Sequence, residues 1–276
     1  MTVVEQMLAR YEGDAASRTL ALREVMQEIA LAGLQRGGFF DRAAFYGGTC
    51  LRIFYGLPRF SEDLDFSLLA PDRSFSLEPY FRAIRDEFSA FGFEVSLTAK
   101  QKSAESGIES AFLKKTSSLY HLTVNGQKAL KIKLEVDKDP PLGFKTEERL
   151  LIQPYSFYTK CFALPDLFAG KMHALLYRKW GNRVKGRDWF DFEWYVRQGY
   201  PLNLHHFAER AFQSGDLAER DIPIPEFKVL LKNRIETLDI RSARTDVERF
   251  LPDARALDIW SRDYFLQLIR MIRFNN

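Results

Sequence analysis

The sequence predicts an α+β protein whose first half mixes strands with helices and whose second half is mostly helical. Alternating apolar and polar residues, as in ALKIKLEVD at 129–137, are typical of half-buried strands. Apolar residues at a helical period, as in 17–36, are typical of amphipathic helices. From Pro165 onward the helical pattern dominates. We therefore predict a mixed α/β domain over 1–155 and a helical domain over 156–276.

The individual elements are predicted from the spacing of apolar residues and from glycines that end helices or form turns. In the first half we predict a helix at 17–36, which ends at Gly37-Gly38. Residues 44–57 are predicted to form a short strand, a glycine turn and a helix in that order. A strand at 63–69 and a helix at 77–91 follow. Further strands are predicted at 93–100, 111–124 and 129–137, with a turn at Asn125-Gly126. Helices are predicted in the second half at 166–178, 189–199 and 202–215.

Composition excludes several classes of protein. Of 276 residues, 46% are hydrophobic and 28% are charged, which is ordinary for a globular protein. Two cysteines are too few for a disulfide framework, and together with four scattered histidines they argue against a zinc enzyme. The sequence has no leader pattern and no apolar window long enough to span a membrane. We therefore expect a cytoplasmic protein with no membrane partner.

A glycine turn follows the first short strand and opens a helix. Gly47, Gly48 and Thr49 stand at this turn. Glycines let backbone N–H groups approach a phosphate closely, and a helix N-terminus favours an anion. A plain tight turn explains the same residues, so the turn alone does not decide between these interpretations.

Asp63 and Asp65 are separated by one residue in a predicted strand. Residues two apart on a strand point to one face, so two carboxylates would stand side by side. Two carboxylates so close together repel each other unless a cation lies between them. Carboxylate oxygens, together with the phosphates of a substrate, are ligands that suit Mg²⁺. The alternative is an acidic strand face that is simply exposed to water.

A second acidic pair lies on the later alternating strand. Glu135 and Asp137 share a face with Lys131 and Lys133. If this strand neighbours the Asp63–Asp65 strand, Glu135 would supply a third carboxylate. A solvated, salt-bridged face is the alternative.

A basic cluster lies in the helical half, where residues 158–276 hold 20 basic and 16 acidic residues, a net charge of +4. Its six cations have no acid among them and are Lys171, Arg178, Lys179, Arg183, Lys185 and Arg187. Because charges of one sign repel each other, we favour phosphate binding over a merely solvated helix–turn–helix. Trp180 and Trp189 are candidates for stacking on a base.

Together, these segments resemble a known family. GGTCLRIFYGLPRFSEDLDF, KMHALLYRK and KGRDWFDFEWY are similar to the motifs of the AbiEii/AbiGii toxin family of nucleotidyltransferases, which includes the MenT-type toxins. The resemblance spans roughly residues 40–200. Fourteen residues separate Gly48 from Asp63, a spacing that favours the toxin branch over other polymerase β-like enzymes.

The resemblance implies a polymerase β-like nucleotidyltransferase fold, with a mixed sheet flanked by helices and a helical C-terminal portion. It implies that Gly47, Gly48, Thr49, Arg59 and Ser61 bind the nucleotide, and that Asp63, Asp65 and a third acid hold one or two Mg²⁺ ions. We favour Glu135 over Asp137 as that acid.

In the helical domain, the resemblance implies that Lys171 contacts the nucleotide phosphates and that Asp188 is the acid of the last motif, with Asp191 as its rival. These two residues, Lys171 and Asp188, would be the contribution of the helical domain to the site. The candidates for RNA contacts are Arg178, Lys179, Arg183, Lys185 and Arg187.

The function implied is a toxin of a toxin–antitoxin system. It would transfer a nucleoside monophosphate from an NTP to RNA, with the tRNA 3′ end as the expected acceptor, and so block translation. Its partners would be the NTP, the RNA and a cognate antitoxin. The alternatives are transfer to a protein hydroxyl and a non-catalytic module that binds nucleotides or RNA.

Overall fold

The computed structural model describes residues 1–11, 15–100, 117–125, 130–178 and 184–275. The chain separates into two compact units. The first unit comprises Met1–Gly56, Phe60–Pro140 and Thr146–Cys161, and the second comprises Leu57–Arg59, Pro141–Lys145 and Phe162–Asn276. The division of the chain at 155/156 into a nucleotidyltransferase domain and a helical domain stays a prediction.

The first unit is built on a mixed sheet. Its strands are β1 (Ala43–Tyr46), β2 (Asp63–Leu68), β3 (Val95–Lys100), β4 (Ser117–Val124), β5 (Leu130–Asp137), β6 (Thr146–Leu151) and β7 (Phe157–Phe162). The strand order is β3-β4-β5-β2-β1-β7-β6. Strand β2 pairs antiparallel with β1 and parallel with β5, while β3, β4 and β5 pair antiparallel in sequence. This mixed pairing confirms the α+β prediction.

Helices accompany the sheet of the first unit. They are α1 (Val3–Leu8), α2 (Ala15–Arg36), α3 (Gly47–Tyr55) and α4 (Phe81–Ala90). Short 3-10 turns cover Phe39–Asp41 and Glu78–Tyr80. Helix α2 approaches α4 closely at Gly33, where the lack of a side chain gives the space: a Cβ there would lie only 2.8 Å from the Cα of Ile84. The helix predicted at 17–36 is confirmed, and it begins two residues earlier, at Ala15.

The second unit is mainly helical. Its helices are α5 (Leu164–Tyr177), α6 (Gly186–Gln198), α7 (Leu204–Ser214), α8 (Ile224–Glu236), α9 (Ile240–Glu248) and α10 (Arg262–Met271). A 3-10 turn covers Ala254–Leu257, and β8 (Pro201–Leu202) pairs parallel with β9 (Arg273–Phe274). The rings of Phe168 on α5 and Tyr195 on α6 stack with centroids 4.2 Å apart, which joins these two helices through their buried faces.

Three local predictions lie partly outside the described residues. Strand β4 begins at Ser117, so residues 111–116 of the strand predicted there are outside them. The same holds for Gly126 of the predicted turn and for residue 129 of the strand predicted at 129–137. Within the described part of the chain, every helix is too short or too polar to cross a lipid bilayer.

Candidate active site

Strand β2 carries the two aspartates on one face. Asp63 and Asp65 are half-buried, whereas Leu64 and Phe66 between and after them are fully buried. Because side chains alternate along a strand, both carboxylates point away from the apolar side of the sheet. The sequence prediction that they share a face is confirmed.

The glycine turn lies directly against Asp65. Gly47 has φ +84°, a conformation that L side chains rarely adopt. A Cβ at this position would collide with the Oδ2 atom of Asp65 and would lie 3.1 Å from its Cβ. Glycine is thus required here by both the backbone conformation and the space. The carboxylate of Asp65 consequently lies at the N-terminus of α3.

Thr49 ties the helix to the strand. Its hydroxyl donates a hydrogen bond to the backbone carbonyl of Asp63, and the whole residue is buried. Nearby, the side chain of Gln27 on α2 donates to the carbonyl of Ser61 at 3.3 Å. These bonds fix the backbone on both sides of Asp63. The roles of Thr49 and Ser61 toward a nucleotide stay predictions.

Strand β5 places a third carboxylate beside this pair. The parallel register of β2 and β5 sets Glu135 opposite Asp65 and Lys133 opposite Asp63. Asp137 lies one step further, opposite Ser67, and accepts a hydrogen bond from the backbone N–H of Asp139. Of the two acids that the sequence left open, Glu135 is therefore the one next to Asp65.

Lys133 forms an ion pair on this face. Its Nζ lies 2.5 Å from Oε2 of Glu135. Burial would lower the pKa of Lys133, but the carboxylates of Glu135, Asp63 and Asp65 outweigh burial, so the pKa is raised. The lysine is thus firmly charged within an acidic environment.

The acidic face suits a hard divalent cation by its donor chemistry. Carboxylate oxygens are the ligands that Mg²⁺ takes from proteins, usually one or two of them together with substrate phosphates. In the described ranges, no three His, Cys, Asp or Glu side chains are arranged to hold one metal ion. Asp63 and Asp65 supply two such carboxylates, so their donor chemistry fits a cation whose other oxygen ligands would come from a nucleotide.

A buried charge cluster lies in the second unit. The carboxylate of Asp191 on α6 is fully buried and accepts two hydrogen bonds from Arg59, at 2.6 Å from Nε and 2.7 Å from Nη2. The Nζ of Lys171 on α5 lies 2.7 Å from Oδ2 of the same carboxylate. The same Nζ lies further, 3.9 Å, from Oδ1 of Asp188. Asp188 precedes Asp191 by about one turn of α6.

This cluster distinguishes Asp188, the acid that the resemblance favours for the last motif, from its rival Asp191. Burial would raise the pKa of Asp191, but the charges and hydrogen bonds of Arg59 and Lys171 outweigh burial and lower it. Asp191 is therefore an ionised acid enclosed by two cations, whereas Asp188 is 13% exposed and loosely paired. Arg59 is itself only 2% exposed, and its predicted contact with phosphate stays a prediction.

The predicted RNA-binding residues are only partly described. Arg178 is exposed just after α5, Lys185 stands at the N-cap of α6, and the guanidinium of Arg187 lies 4.3 Å from the ring centroid of Phe250. Lys179 and Arg183, like Trp180, lie outside the described residues.

The prediction that Trp189 stacks on a base is wrong. Its side chain is 4% exposed, and its ring packs edge-on against Phe265, with centroids 5.1 Å apart. Trp189 belongs to the apolar face of α6, and a core residue of this kind is not available to a ligand.

The mixed sheet, the glycine turn and the acidic pair beside it are the features expected of a nucleotidyltransferase. A family model described as the nucleotidyl transferase AbiEii toxin of type IV toxin–antitoxin systems matches residues 29–268. The chain belongs to this family. Its membership implies a nucleotide substrate and an antitoxin partner. The resemblance found in the sequence is confirmed.

Solved structures share the fold. JHP933 from Helicobacter pylori superposes with a TM-score of 0.53 at 17% identity, over 91% of this chain and 89% of that one. MenT4, the nucleotidyltransferase toxin Rv2826c from Mycobacterium tuberculosis H37Rv, superposes with a TM-score of 0.53 at 17% identity, over 98% of this chain and 89% of that one. These similarities confirm the predicted fold class. No curated protein matches the sequence.

Gly47→Ala is expected to lower nucleotide transfer by at least about 100-fold. The added methyl group would collide with the Asp65 carboxylate and displace it. A displacement of about 1 Å in an active site has effects of this size. The matched control is Gly56→Ala, also at positive φ (+78°) but with nothing within 4 Å of a Cβ. It shares the backbone strain without the collision and should retain transfer. Equal activities of the two purified variants would contradict this interpretation.

Proposed function

We propose that the protein transfers a nucleoside monophosphate from an NTP to RNA in a Mg²⁺-dependent reaction. The proposed acceptor is the 3′ end of tRNA, and its modification would block translation in the cytoplasm. One observation carries the proposal: the carboxylate of Asp65 lies against Gly47 at the N-terminus of α3, and Asp63 stands on the same strand face. The turn proposed to bind phosphate and the acidic pair proposed to bind the cation are therefore next to each other.

The turn is proposed to bind the triphosphate. Gly47 and Gly48 lie in the first turn of α3, where backbone N–H groups have no partner within the helix and attract anions. The absence of a Cβ at Gly47 leaves the space that the Asp65 carboxylate occupies. Thr49 holds the helix end to β2, and Ser61 is proposed to position phosphate.

The acids are proposed to hold the cation. Asp63 and Asp65 would each provide carboxylate oxygens, and Glu135 is the proposed third ligand because of its position opposite Asp65. When bound, Mg²⁺ offsets the charge that develops on the phosphate oxygens during transfer. The contribution of the chain is to hold these acids on one rigid strand pair.

Lys171 is proposed to contact the nucleotide phosphates. Its ammonium is fixed by the buried carboxylate of Asp191, whose charge is also offset by Arg59. The side chain of Lys171 is 15% exposed and its second acid, Asp188, lies 3.9 Å away, so the ammonium stays available to an anionic phosphate. Asp188, as the loosely paired acid, is the proposed acid of the last motif, and Asp191 is proposed to position Lys171.

The excess positive charge of the second half is proposed to attract RNA. A local patch of cations gathers a polyanion even when the whole chain is nearly neutral. The residues proposed for this contact are Arg178, Lys179, Arg183, Lys185 and Arg187.

The test is label transfer. The purified protein is incubated with Mg²⁺, total tRNA and each of the four NTPs labelled at the α-phosphate. We expect label on tRNA with at least one nucleotide. Label on protein alone would select transfer to a protein hydroxyl, and no label with any nucleotide would contradict the proposal. RNA binding without Mg²⁺ or turnover would indicate a binding module, which the membership in an enzyme family disfavours.

A further inference from the structure

Lys133 is a cation built into the acidic face of the first unit. Its Nζ lies 2.5 Å from Oε2 of Glu135, and its strand position is opposite Asp63. The side chain of Lys133 is 34% exposed and that of Glu135 is 22% exposed, so the pair lies at the border between the sheet and solvent. The sequence places this lysine on the face of Glu135, but the family resemblance assigns it no role in the site.

Three carboxylates on two adjacent strands repel one another unless positive charge is present. Asp63, Asp65 and Glu135 occupy neighbouring positions on β2 and β5. Lys133 brings one positive charge to this face from within the chain. A divalent cation held by the same acids would bring two charges and would compete with the ammonium for the oxygens of Glu135.

We propose that Lys133 is an internal competitor of the divalent cation and thereby sets the affinity of the site for metal. In the metal-free protein Lys133 pairs with Glu135, and this pair has to open before Glu135 can act as a ligand. Lys133 is thus a positioning residue that acts through Glu135. This inference rests on the proposed function, because it assumes that the acidic face binds a metal ion.

The competition has a direct consequence for binding order. Since the ammonium opposes a cation at the acids, the protein alone is expected to bind metal weakly. The triphosphate adds negative charge, so metal bound to the nucleotide enters the site more easily than free metal. Removing the lysine charge should strengthen the binding of free metal.

The test measures Mn²⁺ binding to the full chain without nucleotide or RNA, by electron paramagnetic resonance of the free ion. Mn²⁺ takes the same oxygen ligands as Mg²⁺. Lys133→Met is expected to tighten Mn²⁺ binding by about three- to tenfold, the range for removing one partly exposed charge near a cation. Lys131→Met is the matched control, because Lys131 lies on the same strand two residues away and is exposed.

A second variant tests the role of Glu135. In a Glu135→Gln background, Lys133→Met should tighten Mn²⁺ binding less than it does in the wild-type background, since the ion pair no longer exists and only the repulsion between the ammonium and the cation is removed. Far-ultraviolet circular dichroism and the melting temperature verify that each variant is folded.

Three results would overturn the inference. They are unchanged or weaker Mn²⁺ binding by Lys133→Met, equal tightening by Lys131→Met, and a full Lys133→Met effect in the Glu135→Gln background. If neither the wild type nor Lys133→Met binds Mn²⁺ at millimolar concentration, the proposed metal site fails as well. Binding by the wild type with no effect of Lys133→Met would reject the inference alone.

Discussion

Replacing Asp65 by asparagine is expected to lower nucleotide transfer by about 10²- to 10³-fold, the size of effect seen when a group that stabilises transition-state charge is removed. The carboxylate of Asp65 lies against the glycine turn and is flanked by Asp63 on its own strand and by Glu135 on the next. An amide keeps the shape of the side chain and removes the charge that would hold the cation. The loss should therefore appear in catalysis and not in folding.

The control for Asp65→Asn is Asp86→Asn. Asp86 lies on α4 of the same unit, is 71% exposed and pairs only loosely with Arg82, at 3.6 Å. It should retain wild-type transfer and stability. Transfer by purified, folded Asp65→Asn within tenfold of wild type would contradict the assignment of this carboxylate.

Replacing Asp191 by alanine is expected to lower the free energy of unfolding by about 3–5 kcal/mol, the cost of removing one partner from a buried ion pair. The carboxylate is fully buried, and its removal leaves the guanidinium of Arg59 buried without its two short hydrogen bonds. Lys171 loses its nearest anion at the same time. Urea denaturation measures the loss.

Asp188→Ala is the matched control for Asp191→Ala on the same helix. Asp188 lies 3.9 Å from Lys171 and is partly exposed, so its replacement should cost less than about 1 kcal/mol. A loss of stability for Asp191→Ala as small as that for Asp188→Ala would contradict the assignment of Asp191 as the anchor of the cluster.

The Asp191 cluster also has an expected pH dependence. Because the pKa of Asp191 is lowered in the folded chain, its ionisation stabilises the fold above the ordinary carboxyl pKa. That contribution is lost as the pH falls through the lowered value. The difference in unfolding free energy between wild type and Asp191→Ala should therefore shrink in acid.

Local sequence patterns predicted the parts of the site that depend on one segment. Alternation along β2 places Asp63 and Asp65 on one face without reference to any other element. The glycine turn before α3 was likewise visible, because a positive φ favours glycine. The order of the three quoted motifs along the chain then indicated the family.

Contacts between distant segments could not be predicted in the same way. The choice of Glu135 over Asp137 depends on the register between β2 and β5, which no local pattern fixes. The pair of Arg59 and Asp191 joins residues 132 positions apart. The sequence contains one signal for this pair: Asp191 lies among the apolar residues of α6, and a buried acid needs a cation as its partner.

For Trp189, the local sequence offered two interpretations, and the prediction followed the wrong one. It follows a run of basic residues and so suggested a stacking platform, but it also fits the apolar period of α6. Burial of a large aromatic ring stabilises the fold strongly, and the helical period was therefore the better guide.

The central claim is that the protein transfers the nucleoside monophosphate of an NTP to RNA with the help of a divalent cation. The most direct measurement follows two labels, on the α- and the γ-phosphate, in reactions of the wild-type protein with Mg²⁺ and tRNA. The account predicts that the α label becomes attached to the tRNA, that the γ label is released in pyrophosphate, and that EDTA stops both. Attachment of the γ label to RNA, or transfer of the α label that persists in EDTA, would contradict it.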